Sequence, residues 1–557
     1  MQLWQALVGD GRGSGVLHCW AGDRFERYPW SEVVAEARSM AGGLRRAGVE
    51  PGTPVATVLT NSPPSVAGLL GVWLAGGVVA SLPVPARGME LEEYGAQLSA
   101  ICADVEASLF VAEDRLLGVL PEPIAHGVDA RSWESLAGGP AIEPSPPEDG
   151  EIAFVQYSSG STGAPKGCML TAGAIASQLE LLADMAAASP GEETVCSWLP
   201  LSHDMGVFGC LLFAWAWDFD LVLGSPERFM LSPRTWFRDM ADCGATLTAG
   251  TSSALHFAAR GQRSRSLGRE LRLRVCVIGA ERIEWEALAG AIEAFGPCGL
   301  RPGALMPAYG LAEATLAVTA NGVDREPRAI AVDTVALADG EVREVAFDEG
   351  TTMVSVGRPC KGVGVRLAHP EGLADVYVRS PSLSAGYVGD AERTRERFRD
   401  GEPLTGDLGF MLDGELYVAG RSDDVLSVSG RNVYARELEA AIGSLGGVRT
   451  GCCTIVDVAG DRVSRLVLLL ELNGRAGELG EIAATATDLA RARAGVNLSE
   501  CVFLEKGALP KTPTGKVQRF RCRQLLEAER LDPLARIATD GAPLGGGARG
   551  ALEAVDA

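Results

Sequence analysis

No stretch of the 557-residue sequence is long and apolar enough to read as a membrane span. The longest apolar run, residues 66–80, is broken by Gly68, Gly71, Gly76 and Gly77 and meets Ser81 and Pro83 soon after. A span needs about 20 residues, so this run reads as a buried helix leading into a strand. The N-terminus lacks a basic segment ahead of a long apolar one, so no secretory leader is expected. Positive charge is scarce, with 50 Lys and Arg against 72 Asp and Glu and a net charge of −22. A surface that acidic repels phosphate backbones, which excludes nucleic acid as a general partner. The 13 cysteines form no C-x-x-C pair, and Cys452 and Cys453 are adjacent. The five histidines lie far apart. Neither pattern suits a zinc or His-rich metal site, and scattered thiols suit the reducing cytoplasm.

What is present points to a large folded chain. Hydrophobic residues make up 47% and charged residues 22%, enough for an extensive core, and the length implies more than one folding unit. Apolar stretches at 55–59, 108–111, 151–157, 220–223 and 275–278 alternate with amphipathic stretches such as 31–47. That alternation predicts an α/β fold with mainly parallel sheets. Residues 140–147 read as a Pro/Glu-rich linker. From about residue 320 short strands with turn signals take over, for example at 414–418, predicting a β-rich subdomain. A smaller α+β unit is expected after Arg421. The expected boundaries are 1–421, 422–535 and a flexible Gly/Ala-rich tail at 536–557.

The strongest motif is Tyr157-Ser158-Ser159-Gly160-Ser161-Thr162-Gly163-Ala164-Pro165-Lys166-Gly167, entered from the strand expected at 151–157. Glycines and small hydroxyl residues let backbone N–H groups close on an anion, and Lys166 can add a positive charge over phosphate oxygens. The spacing is not that of G-x-x-x-x-G-K-[ST]. Gly9–Gly15 has no strand ahead of it and reads as a plain loop.

This motif resembles the phosphate loop of the adenylate-forming superfamily of acyl-CoA synthetases, luciferases, peptide-synthetase adenylation domains and fatty acyl-AMP ligases. Further matches follow in the family's order: Trp198-Leu-Pro-Leu-Ser-His203-Asp-Met-Gly206, Gly279-Ala280-Glu281, Ala308-Tyr309-Gly310-Leu-Ala-Glu313-Ala-Thr315, Thr405-Gly-Asp407, Gly420-Arg421-Ser-Asp423-Asp and Pro510-Lys-Thr-Pro-Thr-Gly-Lys516. The resemblance covers about residues 20–530. It implies three N-terminal subdomains and a small mobile C-terminal domain.

It also implies ATP and Mg²⁺, with a carboxylate attacking the α-phosphate to give acyl-adenylate and pyrophosphate. Two anions must meet, so the site needs positive charge. By resemblance Lys516 bridges carboxylate and α-phosphate, Glu313 associates with Mg²⁺, and Asp407 takes the ribose hydroxyls with Arg421 beside it. Tyr309 stacks on adenine, Gly279, Ala280 and Glu281 line the base, and His203 faces the substrate carboxylate or the acyl entrance. Asp423 marks the hinge on which the C-terminal domain rotates between adenylation and thioester-forming poses.

Within the superfamily, His203-Asp-Met-Gly, Tyr309-Gly-Leu-Ala-Glu-Ala-Thr-Leu and Gly430-Arg-Asn-Val-Tyr434 resemble the fatty acyl-AMP ligase branch. About 40 residues separate Thr315 from Gly357, and residues 332–342 resemble that branch's insertion, which disfavours CoA. The sequence holds no Asp-Ser attachment site for phosphopantetheine, so the implied acceptor is a separate holo acyl carrier protein. An acyl-CoA synthetase is the alternative, and a non-catalytic acyl- or nucleotide-binding relative a further one. Departures from the pattern are Ser202 before His203, Ala172 where a His is common, Arg282 for a Pro, Asp423 for a Lys, and the run Thr251-Ser252-Ser253 near the acyl pocket. Hydroxyls there would sit unpaired against an alkyl chain, so a short, branched, aromatic or oxygenated acid is expected over a saturated long chain. Arg519, Arg521 and Arg523 are expected either as docking charges for the acidic carrier, or as a solvated helix face, or as partners of the protein's own acidic body.

Overall fold

The computed structural model describes residues 1–9, 14–85, 91–120, 124–158, 166–262, 266–399, 401–421, 425–428, 431–458, 465–473, 479–494, 496–511 and 517–538. Two large sheets carry the N-terminal part. One has six strands in the order Asp129–Ser132, Leu109–Ala112, Pro54–Thr57, Val78–Ser81, Ile152–Ser158 and Lys166–Thr171. The first five run parallel and the last is antiparallel. The other has nine strands, parallel from Leu305–Gly310 through Val275–Ile278, Leu247–Gly250, Thr194–Ser197 and Asp220–Leu223 to Val16–Trp20. Antiparallel strands close both its edges. All five strands expected from the apolar stretches form within two residues of their expected bounds, and residues 66–80 do make a helix, Pro63–Leu74, running into the strand Val78–Ser81.

One core joins the two sheets, holding Val55, Val79 and Phe154 from the first and Val195, Leu221 and Leu247 from the second. Helix Trp30–Arg46 feeds it Val33, Ala37, Met40, Ala41 and Leu44, the spacing of a single helix face. Residues 140–147 are not a free tether. Ser145 N–H donates to Leu74 O at 3.0 Å, and Trp4 Nε1–H donates to Pro147 O at 2.7 Å.

Beyond residue 320 the expected β-rich texture resolves into two smaller antiparallel sheets. Glu344–Val345, Ala329–Val332 and Thr351–Val354 form one. Gly364–Leu367, Ala374–Arg379, Glu402–Leu412, Phe398–Arg399 and Glu415–Arg421 form the other. The C-terminal residues have cores of their own, drawn wholly from 435–537. A four-stranded sheet, Val448–Val458, Arg465–Leu472, Glu500–Leu504 and Pro533–Ala538, packs there with helices Ala435–Gly443, Leu479–Ala494 and Arg519–Glu527. Its last strand reaches Ala538, so ordered sheet continues past 535, where the tail is expected to begin. The expected insertion, 332–342, carries helix Thr334–Ala338, which packs against Leu479–Ala494 of the C-terminal unit.

Candidate functional site

The carboxyl ends of the parallel strands deliver the site. Ile152–Ser158 ends at the start of the phosphate-loop motif, Val275–Ile278 runs into Gly279-Ala280-Glu281, and Leu305–Gly310 carries Tyr309 and Gly310 at its end. A cavity of about 1290 Å³ opens there. Lys166, His203, Gly279, Ala280, Glu281, Tyr309, Gly310, Glu313, Asp407 and Arg421 all line it, so one space gathers candidates spread over more than 250 residues of sequence. Ser159, Gly160, Ser161, Thr162, Gly163, Asp423 and Lys516 lie outside the described residues, and Ser158 is placed only as the last residue of its strand.

The residues expected on the nucleoside side hold one another. Asp407 and Arg421 face each other across adjacent strands, and the Tyr309 hydroxyl donates to the buried Asp407 carboxylate. Burial and that carboxylate push the Tyr309 pKa well up, so it stays a donor. Asp407 N–H donates to Thr405 Oγ1 at 3.0 Å. The Glu281 carboxylate accepts from Ser253 N–H, tying the Gly279-Ala280-Glu281 turn to helix Ser252–Gly261. Arg282 donates to Thr352 O at 3.1 Å, joining the same turn to the three-stranded sheet. Ala280 and Thr315 both have φ near +65° (64° and 65°). That costs a residue with a Cβ about 1–3 kcal/mol, a strain held beside Glu281 and Glu313.

Lys166 opens the strand that returns from the phosphate-loop motif, opposite Ser158. Burial and the nearby Arg393, Arg421 and Arg397 lower its pKa. Arg393 and Arg397 sit on helix Ala391–Arg397 and extend this cationic wall. Glu313 is held by Tyr387, whose hydroxyl donates to its Oε1 at 2.6 Å. Gln156, one strand residue before Tyr157, also lines the cavity and donates to Ser202 O at 3.0 Å. Sequence reasoning missed Tyr387, Gln156 and the two arginines. Only Gln156 carried a signal, a polar residue in an apolar strand next to the motif. The donor set at Glu313 fits a magnesium ion, which takes one or two protein carboxylates and completes its shell with phosphate and water oxygens. Among the described residues no group of three His, Cys, Asp or Glu could cage a metal.

His203 Nδ1 lies 2.6 Å from Asp204 Oδ1. Burial opposes a charged ring, but the Asp204 carboxylate outweighs it and raises the His203 pKa. Nδ1 also accepts from Met205 N–H at 3.3 Å, so both of these ring contacts fall on Nδ1 and Nε2 is the nitrogen left for a ligand.

One stretch of the cavity wall is apolar, formed by Leu182, Met185, Val195, Phe213, Leu247 and Val275, while Arg436, Glu439 and Arg519 of the C-terminal unit line another. The polar run expected to face an acyl chain is mostly engaged elsewhere. Thr251 Oγ1 caps helix Ser252–Gly261 by accepting from Ala254 N–H at 3.1 Å, and Ser252 Oγ accepts from Glu284 N–H at 3.0 Å. Two of the three hydroxyls in that run are thus paired, which weakens the case for a short or oxygenated acid, while Ser253 and Ser202 still line the cavity.

The expected docking arginines are paired as well. Arg519 binds Glu439 at 3.0 Å, Arg521 pairs with Glu93, and Arg523 pairs with Asp457 at 3.1 Å and Glu527 at 3.0 Å.

The model of the AMP-binding enzymes matches residues 12–388. The chain belongs to the AMP-binding enzyme family. Among AMP-binding relatives, the long-chain-fatty-acid–AMP ligase FadD26 of Mycobacterium bovis is 29% identical over 554 residues, covering 91% of this chain and 92% of its own. A putative ligase of Mycobacterium tuberculosis is 29% identical over 524 residues, covering 88% of this chain and 93% of its own. One of the solved fatty acyl-adenylate ligases of E. coli and L. pneumophila shares the fold, with a TM-score of 0.85 at 23% identity over 95% of this chain and 98% of its own. The AMP-binding fold thus places a large, mainly parallel-sheet N-terminal part before a smaller C-terminal domain.

Proposed function

We propose that this AMP-binding enzyme is a fatty acyl-AMP ligase. It joins an elongated, largely apolar carboxylic acid to AMP and passes the acyl group to the phosphopantetheine thiol of a separate acyl carrier protein. The observation that carries this reading is one cavity in which a nucleoside-binding end, Tyr309 with Asp407 and Arg421, runs into an apolar branch. An acyl chain with its carboxylate near His203 would place its reacting oxygen between the two.

In the first step a carboxylate oxygen bonds to the α-phosphorus and the bridge to the β-phosphate breaks, releasing pyrophosphate. Residues 158–163 and Lys166 bind the phosphates, Asp407 holds the ribose, and Tyr309 covers the base against Gly279-Ala280-Glu281. Lys516 brings positive charge to the point where the two anions meet. A magnesium ion at Glu313 would neutralise charge on the phosphate oxygens. In the second step the thiol sulfur bonds to the acyl carbon and AMP leaves. The two steps need different groups over the same phosphate, which is the reason for a C-terminal unit, 422–535, that turns at Asp423 against 1–421. The separate cores of the two parts support that division. No helix among the described residues is long and apolar enough to cross a membrane.

Acid-dependent ATP–pyrophosphate exchange tests the first step, and intact-mass detection of acylated holo-carrier against acyl-CoA tests the second. Lys516→Ala should abolish exchange while sparing thioester formation from preformed acyl-adenylate. Exchange near wild-type rate in that variant would remove Lys516 from the mechanism. Acyl-CoA at micromolar CoA with no carrier loaded would make the enzyme an acyl-CoA synthetase.

A further inference from the structure

The apolar branch has a built end. It runs between helix Ala172–Ala186 and the nine-stranded sheet, from the carboxyl ends of the strands toward their amino ends. Val195, Leu247 and Val275 form a row across three adjacent strands, because Leu247 is paired in register with both of the others. Ala186 faces them from the last turn of the helix. These four side chains are at most 5% exposed.

Arg274, next in the chain to Val275, lies behind the row. Its backbone N–H donates to Thr246 O at 2.8 Å. Its Nη2 donates to Ala186 O at 3.0 Å and Ala187 O at 3.4 Å and pairs with Glu193, which is only 8% exposed. The guanidinium therefore ties together the end of the helix, the turn before strand Thr194–Ser197 and the start of strand Val275–Ile278.

We propose that Ala186, with the Arg274–Glu193 pair behind it, is the floor that sets the maximum acyl length. This rests on the ligase reading above and adds a chain-length class to it. A methyl terminus reaching the row meets apolar side chains. One carbon more must push into a paired guanidinium, 28% exposed, and a carboxylate that is 8% exposed, and part them. Strand Val275–Ile278 advances about 10 Å from first to last residue, which an extended alkyl chain covers in roughly eight carbons at ~1.3 Å each. The carbons between Gly279 and the carboxylate come in addition, so the cut-off falls at about C10–C14.

The test is kcat/KM for ATP–pyrophosphate exchange over a series of saturated acids, C6 to C20, with the full-length enzyme. In wild type each added carbon should raise kcat/KM about three- to fourfold until a sharp fall at the cut-off. Ala186→Leu adds bulk inside the branch without touching the ion pair and should shorten the cut-off by about two to three carbons. Arg274→Ala opens the floor and should lengthen it by at least two carbons. Should Arg274→Ala fail to fold, Ala186→Leu decides alone. Exchange with the cut-off unmoved in Ala186→Leu overturns the floor. Absence of exchange with every acid in wild type strikes the ligase reading on which it rests.

Discussion

His203 and Asp204 show how two neighbours in sequence become one functional unit. Burial disfavours both charged forms, yet each ion outweighs that penalty for the other. The His203 pKa rises above 6.5 and the Asp204 pKa falls below 3.8. The histidine's contribution to stability is complete below about pH 6.5 and is lost as pH rises through its raised folded value. The aspartate's contribution is present above about pH 3.8 and is lost as pH falls through its lowered one. In Asp204→Asn only burial remains, so the imidazole should titrate below 6.5 instead of above it. An NMR titration of the ring C–H signals reads the sign directly, and an unmoved midpoint would remove Asp204 as the cause. His203→Gln should flatten the fall in Tm above pH 6.5. The motif His203-Asp-Met-Gly was legible in sequence, but the 2.6 Å contact that gives it this behaviour was not.

At the scale of elements, close approach between backbones decides what helices can carry. A Cβ on Gly43 of helix Trp30–Arg46 would lie 2.1 Å from Leu136 O, and one on Gly42 1.9 Å from Pro140 O. Gly43→Ala should therefore destabilise by about 1–3 kcal/mol, although alanine is intrinsically the better helix former by about 1 kcal/mol. Gly290, in helix Trp285–Phe295, has nothing within 4 Å of that position. Gly290→Ala should stabilise by about 0.5–1 kcal/mol. Urea unfolding midpoints of the two variants should move in opposite directions. If both move the same way, helix propensity rather than contact with 136–140 governs Gly43. The expectation of a linker at 140–147 followed from Pro and Glu composition, and composition does not show that a neighbouring glycine pair has left room for the segment to dock.

For the whole molecule, the net charge of −22 sets the setting in which each cation must find a role. Arg521 of helix Arg519–Glu527 pairs with Glu93 of helix Leu91–Asp104, a contact between the C-terminal unit and the N-terminal part. The side chains are 29% and 39% exposed. Such a pair is worth about 0.2–1 kcal/mol, a shift of up to about fivefold in the population of this arrangement. Arg521→Glu should lower that population, and Glu93→Arg in the same chain should restore it. Fluorescence transfer between dyes on the two parts measures the change, which salt should weaken. An unchanged distance distribution in the single variant would show that the contact does not hold the two parts in this arrangement.

The sequence by itself determined the α/β class, the parallel strands and ten candidate residues that the fold gathers on one cavity. Strand periodicity and motif order are local properties, and Gly279-Ala280-Glu281 or Thr405-Gly-Asp407 can be read without knowing what stands opposite. Tertiary structure alone decided which polar groups were already spoken for. Thr251 and Ser252 look like a hydroxyl wall in the chain but serve a helix start and Glu284 N–H in the fold. Arg519, Arg521 and Arg523 look like a free basic face but are paired with carboxylates from 4 to 428 residues away. Tyr387 reaches Glu313 from 74 residues away. A hydrogen bond or ion pair is fixed by both partners, and one-dimensional order shows only one of them at a time.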